Sequence, residues 1–159
     1  MQTVPTRDHW LDWAGLHIAE FPDLPMQRRR VWLSPHFVEQ FDRMETWSKD
    51  QDLFEGPKAQ VQYVLQHFAE GARRFQEGYD YTKLKLSSFP VYEFRTRDVR
   101  VFGFLLGRGE FCAILALPKS GLRKRSDYNW PIQFVINFKS ELKIPPPKYS
   151  KERIDEIYR

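Results

Sequence analysis

Apolar residues recur every three to four positions along several stretches of this chain, and that spacing places them on one face of an α-helix. Leu65 and Phe68, for example, belong to such a stripe in residues 57–76. Ser34 and Pro35 mark another helix start, because serine is a good N-cap and proline is favoured at the first helical position. The pattern predicts helices at 8–20, 35–47, 57–76, 129–142 and 151–158.

In other stretches the period changes to two, which is typical of a β-strand. Residues 91–97 show it most clearly, with aromatic residues on one face and charged residues on the other. Residues 111–117 are apolar throughout, which indicates a central strand covered on both faces. Gly107 and Gly109 favour a hairpin turn just before that strand. The predicted strands are 31–33, 81–86, 91–97, 99–106 and 111–117.

The order of these elements is a helix, a strand, a helix pair, an antiparallel strand meander and further helices, which is typical of an α+β fold. The chain has 159 residues, of which 42% are hydrophobic, so it is long enough to bury a core. The simplest interpretation is one domain, residues 1–159, with an extra N-terminal helix. At the other end, a Pro-rich spacer at 145–147 separates the predicted C-terminal helices.

Positive charge is concentrated in residues 91–125. This segment has eight basic and three acidic residues, a net charge of +5, whereas the whole chain carries only +4. Local positive charge on a sheet is what an anionic polymer such as RNA selects. The basic residues are Arg95, Arg97, Arg100, Arg108, Lys119, Arg123, Lys124 and Arg125.

Exposed arginines are ordinary, and their arrangement rather than their number points to a ligand. Arg100 lies just across a predicted turn from Arg95 and Arg97, within reach of the same face of a tight hairpin. The cations of 119–125 follow the central strand and would reach one end of the same sheet. Guanidinium groups pair with phosphate oxygens, and aromatic neighbours such as Tyr128 can stack on bases. We therefore interpret this sheet as a nucleic-acid contact surface.

Several other chemistries find no support in the sequence. The four histidines all lie outside the basic segment, and no pair of them has metal-ligand spacing with an acid nearby. Residues 107–109 join two predicted strands, so they form a hairpin turn rather than a phosphate-binding loop. The single cysteine, Cys112, is predicted to be a buried, reduced and inert thiol. We expect neither a metal nor a cofactor.

The sequence also bears on the compartment. Its first residues contain no apolar signal core. The longest apolar run is far too short to span a bilayer. We expect a cytoplasmic protein that does not interact with a membrane.

The basic segment and its surroundings resemble the bacterial RelE/ParE toxin superfamily. Members typically have a K-L segment, a strand of the type Y-x-L/I-R, a turn, a strand of the type Y-R-V/L-x-Y/F, a hairpin, an apolar strand and a basic loop. The corresponding stretches here are 83–84, 92–95, 99–102, 111–117 and 119–125, and VWLSPHFVEQFDRM resembles the opening strand and first helix. The similarity defines a toxin-like core at 31–128, an N-terminal extension at 1–30 and C-terminal helices within 129–159.

The resemblance implies a twisted antiparallel sheet with helices packed on one face. In RelE-like members the activity is ribosome-dependent cleavage of mRNA without a metal, in which the substrate's own 2′-hydroxyl attacks the adjacent phosphate. It also implies RNA, the ribosome and a small antitoxin bound to the basic groove as partners. The protein would then be the toxin of a type II toxin–antitoxin-like system.

The resemblance also suggests roles for individual side chains. Arg95 and Arg100 would clamp the scissile phosphate. Arg125, or a neighbour in the basic loop, would stabilise developing charge, and Tyr128 would stack on a base or assist proton transfer. The further nucleic-acid contacts would be Arg97, Lys119, Arg123, Lys124, Lys83 and Lys85.

One position departs from the family pattern. Where RelE has a strand lysine, this chain has Glu93. A carboxylate there could serve as a general base if its pKa were tuned, or it could be an ion-pair partner for Arg95 or Arg97. The basic segment also lacks the histidine acid that some relatives use.

Two alternatives to a ribonuclease stay open at this point. A ParE-like protein would instead inhibit DNA gyrase through a protein interface, and Glu93 motivates that hypothesis. A non-catalytic RNA-binding or regulatory protein could retain the same scaffold. Its motivation is the N-terminal helix with Trp10 and Trp13, which could cover the sheet in place of an antitoxin or form a dimer contact, or more simply pack onto the core.

Overall fold

The computed structural model describes residues 15–47, 56–71, 75–84, 90–107 and 109–142. Within these ranges it is an α+β structure with one mixed sheet. The strands are β1 His17–Ile18, β2 Arg30–Leu33, β3 Tyr81–Leu84, β4 Val91–Arg95, β5 Val99–Gly107 and β6 Glu110–Pro118. The α-helices are α1 Pro35–Arg43, α2 Pro57–Glu70 and α3 Asn129–Glu141, and short 3₁₀ turns occupy Met44–Thr46, Lys119–Gly121 and Arg125–Tyr128.

Local signals fix the ends of the helices. The Ser34 hydroxyl accepts a hydrogen bond from the backbone N–H of Phe37 at 3.0 Å, which caps α1 as its sequence predicts. Helix α2 begins at Pro57 as predicted but ends at Glu70, six residues before the predicted end. The reason is Gly71, which adopts the left-handed conformation (φ 75°) and terminates the helix.

The strand order is β1-β2-β6-β5-β4-β3, and β3 to β6 form the predicted antiparallel meander. The expectation of an entirely antiparallel sheet is wrong, because β2 pairs with β6 in parallel. The chain leaves β2 through α1 and α2 to reach the far edge of the sheet at β3. It then returns by hairpins, which lays β6 beside β2 in the same direction.

The two helices of the predicted core, α1 and α2, pack on one face of the sheet, and α3, which belongs to the predicted additional C-terminal helices, covers the other face. Phe111 and Ala113 of β6 pack in one apolar cluster with α1 and α2. Cys112 and Ile114 point to the other face and pack in a second cluster with α3. Strand β6 is therefore the doubly covered central strand that its continuous apolar sequence predicts. Cys112 is buried, as expected, and burial raises the pKa of its thiol.

The predicted N-terminal helix does not extend to residue 20. Gly15 has a positive φ of 81°, and β1 then pairs antiparallel with β2. The Ala19 N–H donates to the Val31 carbonyl at 2.8 Å, so this part of the chain extends the sheet instead. The rest of that prediction, including Trp10 and Trp13, lies outside the described residues. So do the Pro-rich spacer, the predicted helix 151–158 and most of the loop between α1 and α2.

Candidate active site

Three charged side chains of the basic segment lie on one face of the sheet. In the antiparallel pair β4–β5, Glu93 lies opposite Phe102 and Arg95 lies opposite Arg100. Directly paired residues project to the same side of a sheet. Phe102 packs in the cluster that contains α3, so the three charged side chains lie on that face too, which we call the α3 face. The neighbouring aromatic residues of β4 project to the other face and belong to the α1/α2 cluster. The sequence alternation of β4 predicts this separation correctly.

A cleft of about 470 Å³ opens on the α3 face, between the β3 edge of the sheet and the segment that enters α3. Strands β3 and β4 form one wall, and the 3₁₀ turn Arg125–Tyr128 with the first turn of α3 forms the other. Cationic, carboxyl, hydroxyl and aliphatic groups therefore meet in one opening. The lining residues are Thr82, Lys83, Leu84, Glu93, Arg95, Arg125, Tyr128, Asn129 and Ile132.

Glu93 lies deepest among the charged groups of the cleft, with only 2% of its surface exposed. Its Oε1 is 3.5 Å from Arg95 Nε and 3.8 Å from Arg100 Nε, so one oxygen forms ion pairs with two guanidinium groups. Its other oxygen, Oε2, is buried and has no hydrogen-bond partner of ordinary geometry. A buried polar atom without a partner costs folding free energy, which makes this oxygen a candidate to bind a ligand or a proton.

The electrostatics of the cleft favour proton transfer. Burial raises the pKa of the Glu93 carboxyl above its ordinary value. A weak hydrogen bond with the Tyr128 hydroxyl and the two nearby guanidinium charges lower the same pKa, but by less. Burial, followed by the adjacent carboxylate, raises the pKa of the Tyr128 hydroxyl, so this group stays protonated at neutral pH. An acid and a base therefore line the same cleft and influence each other's pKa.

Arg100 lies behind Glu93 and does not line the cleft. It is 5% exposed, and its Nη1 donates to the carbonyls of Thr96 and Val99. Burial lowers its pKa, and the Glu93 carboxylate opposes that effect. A direct contact between Arg100 and a phosphate would require it to leave these partners. In this conformation Arg100 holds the carboxylate, while Arg95 and Arg125 face the opening.

Arg95 bridges the carboxylate and the solvent. Its side chain is 35% exposed, and its Nη1 donates to the Gly78 carbonyl at 3.2 Å. Arg125 is exposed on the opposite wall, in a turn that Asp127 holds together. One carboxylate oxygen of Asp127 accepts from the backbone N–H groups of Arg123 and Lys124, at 2.9 and 2.8 Å.

The remaining predicted cations distribute differently. Lys83 lines the cleft, and Lys85 lies outside the described residues. The others are exposed and do not line the cleft, and we call them the outer basic residues: Arg97, Lys119, Arg123 and Lys124.

Sequence patterns did not indicate every residue of the site. Thr82, Leu84, Asn129 and Ile132 line the cleft, yet they have ordinary residue types for a strand and a helix start. Thr82 could have been predicted only from the register of β3 on β4, in which it pairs with Glu93. No described group of three or more His, Cys, Asp and Glu side chains is arranged to hold a metal ion.

Comparisons with known proteins leave the resemblance to RelE/ParE toxins as a prediction. No protein-family model, curated protein or solved structure matches this chain. Among the described helices, none combines the length and the apolar character needed to cross a membrane.

Proposed function

We propose that this protein is a metal-independent endoribonuclease that cleaves mRNA at the Glu93 cleft. The observation that supports the proposal is the buried carboxylate, which has a raised pKa and an oxygen without a hydrogen-bond partner. It lies in the same cleft as Arg95, Arg125 and a protonated tyrosine. A tuned base, a paired acid and two cations are what internal transesterification of RNA requires.

The reaction assigns one role to each group. Glu93 removes the proton of the ribose 2′-hydroxyl, and the 2′-oxygen attacks the adjacent phosphorus. As the bond from 2′-oxygen to phosphorus forms, the bond from phosphorus to the 5′-oxygen breaks. Tyr128 donates a proton to the departing 5′-oxygen and regains one from the nearby Glu93 carboxyl, which lines the same cleft. The products end in a 2′,3′-cyclic phosphate and a 5′-hydroxyl.

The arginines act on charge. Arg125 and the solvent-facing part of Arg95 stabilise the phosphorane oxygens, whose charge increases in the transition state. Arg100 is buried against Glu93 and favours the ionised carboxylate that must accept the proton. The outer basic residues extend the positive surface beyond the cleft and would bind RNA phosphates, including those of the ribosome.

This activity fits a toxin of a type II toxin–antitoxin-like system that acts on mRNA during translation. A cognate antitoxin would then supply acidic side chains to the basic cleft. Both partners belong to the proposal.

Primer extension on an mRNA translated in an extract tests the proposal. Wild-type protein should produce new 5′ ends, whereas Glu93→Gln should not. A 2′-deoxy nucleotide on the 5′ side of a cut should abolish that cut, because its attacking oxygen is missing. No new ends with folded wild-type protein, or cuts that survive the 2′-deoxy substitution, would reject the mechanism.

One observation favours a second candidate, a non-catalytic RNA-binding protein. Glu93 already forms ion pairs with Arg95 and Arg100, and such pairs also occur for purely structural reasons. In that case the protein binds the same RNA without cutting it, and the affinity falls steeply with salt. The test is an electrophoretic mobility shift at two salt concentrations, after which the bound RNA is recovered and its length is checked. Salt-sensitive binding with RNA of full length supports the non-catalytic function, and shortened RNA supports cleavage.

A further inference from the structure

We propose that Gln60 is a positioning residue for the cleft, although it lies on α2, at the opposite face of the sheet. It fixes the turn between β4 and β5, and through this turn it positions both the arginine that supports Glu93 and the start of the basic loop. The effect on cleavage rests on the proposed ribonuclease function. The structural effect does not depend on it.

The Gln60 side chain is 8% exposed and makes three hydrogen bonds to the β4–β5 turn. Its Nε2 donates to Asp98 Oδ2 at 2.7 Å. Its Oε1 accepts from the Thr96 hydroxyl at 3.0 Å and from the Asp98 backbone N–H at 2.9 Å. The turn is thus attached to the helix through both its side chains and its backbone.

The first connection runs from this turn to the carboxylate. The Thr96 carbonyl accepts from Arg100 Nη1, so the turn holds one end of that guanidinium group. The other end of the group, Nε, lies 3.8 Å from Glu93 Oε1. If the turn moves, Arg100 loses one of its two carbonyl partners, and the ion pair behind Glu93 loosens with it.

The second connection runs from the turn to the basic loop. The Asp98 carbonyl accepts from the Lys119 backbone N–H at 2.7 Å, where the chain leaves β6. The segment that begins there leads directly to Arg125 and Tyr128 on the other wall of the cleft. Asp98 therefore connects the β4–β5 turn with the start of the loop that leads to the far wall, and Gln60 holds Asp98.

Only an amide provides this set of bonds at once, because it donates from nitrogen and accepts at oxygen. Methionine in place of Gln60 keeps the approximate shape and removes all three bonds. Glutamate keeps the two accepted bonds but brings a second carboxylate against Asp98. The double variant Gln60→Glu/Asp98→Asn restores a donor and an acceptor to this pair in reversed positions.

Gln40 provides a matched control. It lies on α1 and also fixes a backbone segment, because its amide both donates to and accepts from Ala116 of β6 at 2.8 Å. Gln40→Met removes two such bonds on the same face of the sheet but leaves the β4–β5 turn intact. The two methionine variants should therefore lose similar stability and differ in their effect on the cleft.

The test measures amide hydrogen exchange by NMR and the cleavage rate for wild type, Gln60→Met, Gln60→Glu, the double variant and Gln40→Met. In both single Gln60 variants we expect the Lys119 amide to exchange about tenfold faster, as expected when a local hydrogen bond is lost. The cleavage kcat should fall by a similar factor, about tenfold, with KM little changed. The double variant should recover most of both losses, and Gln40→Met should show neither.

Unchanged exchange at Lys119 in Gln60→Met would overturn the proposal, as would equal losses of kcat in Gln60→Met and Gln40→Met. If Gln60→Met does not fold, the comparison of Gln60→Glu with the double variant decides in the same way. A wild-type protein that cuts no RNA rejects the ribonuclease function, and the exchange data still decide the role of Gln60. If the wild type and the Gln60 variants cut RNA equally well and exchange at Lys119 is unchanged, only the positioning role of Gln60 is rejected.

Discussion

The two faces of strand β4 differ sharply although they alternate along five residues. On the α1/α2 face, Phe94 is fully buried, and its ring lies 3.9 Å from that of Phe111 and 4.9 Å from that of Phe75. On the α3 face, Glu93 is buried almost as completely but has one oxygen without a partner. Burial therefore stabilises Phe94 through apolar contacts, whereas it costs free energy at the unpartnered oxygen of Glu93. One face is satisfied by packing, and the other is left with an unmet polar requirement.

The difference follows from what covers each face. Helix α2 and the residues after it present aromatic side chains that fill the space next to Phe94. On the other face α3 packs on β5 and β6, and its first turn leaves an opening over β3 and β4. Aromatic packing stabilises the region around Phe94, whereas the second face holds a buried charge beside an opening. Substitutions on the two faces should separate stability from activity.

The largest effect is expected from Phe94→Ala. Removing this ring leaves a cavity among stacked aromatic side chains, so the free energy of unfolding should fall by about 3–5 kcal/mol. Urea unfolding followed by circular dichroism measures the loss. Phe94→Leu, which keeps an apolar side chain, should lose clearly less. A loss below about 1 kcal/mol for Phe94→Ala would show that the α1/α2 face does not dominate stability.

Glu93→Gln should have the opposite effect to Phe94→Ala, with a large loss of cleavage and a small loss of stability. The amide keeps the shape and can still accept a hydrogen bond, but it cannot take up the proton of a 2′-hydroxyl. Cleavage should fall by about 100-fold or more, while the free energy of unfolding changes less than in Phe94→Ala. Rates on the same RNA and unfolding in urea provide both numbers. An active Glu93→Gln protein would leave the carboxylate with a structural role only.

A smaller effect is expected from Arg125→Ala. Arg125 lines the cleft in an exposed turn, so its removal should lower the cleavage rate by about tenfold through lost charge stabilisation. Arg43→Ala is the matched control, because Arg43 is also exposed and forms an ion pair with Glu39 on α1, away from the cleft. Equal rates for the two variants would mean that Arg125 contacts no reacting phosphate.

Much of the scaffold could be predicted from the sequence because its signals are local. The alternation of β4, the N-cap Ser34 and the glycine turn before β6 each depend on neighbouring residues. The parallel pairing of β2 with β6 could not be predicted in this way, since it joins residues about 80 positions apart. The end of α2 at Gly71 was missed because the apolar pattern continues past it.

The site was predicted less completely than the scaffold. The arginines were found from their charge, and Glu93 was found as a departure from a family pattern. Whether each guanidinium group faces solvent or a buried carboxylate depends on packing by α3, which no local pattern encodes. Arg100 shows this, because its sequence position suggests a phosphate contact and its surroundings are protein carbonyls. Gln60 was missed because its hydrogen-bond partners in the β4–β5 turn lie 36–38 positions away in the sequence.

The smallest expected effect is the pH dependence of stability, which tests whether burial raises the pKa of Glu93 on the α3 face. The folded-state pKa of Glu93 is raised above its ordinary value of 4.5, mainly by burial. The folded state therefore binds the carboxyl proton more tightly than the unfolded state, and stability falls as pH rises between the two pKa values. Glu93→Gln has no such group, so its free energy of unfolding should lose less over this window.

The measurement is the difference in free energy of unfolding between wild type and Glu93→Gln, taken by urea titration from pH 4 upwards. The wild type should lose stability relative to the variant as pH rises past about 4.5, and the difference should level off above the raised pKa. The total change should stay modest, because the charges of Arg100 and Arg95 offset part of the burial effect. A wild type that gains relative stability with rising pH would mean that the ion pairs outweigh burial. The ion pairs would then compensate fully for the burial of Glu93. Its pKa would be lowered rather than raised, and it would be too weak a base for the proposed mechanism.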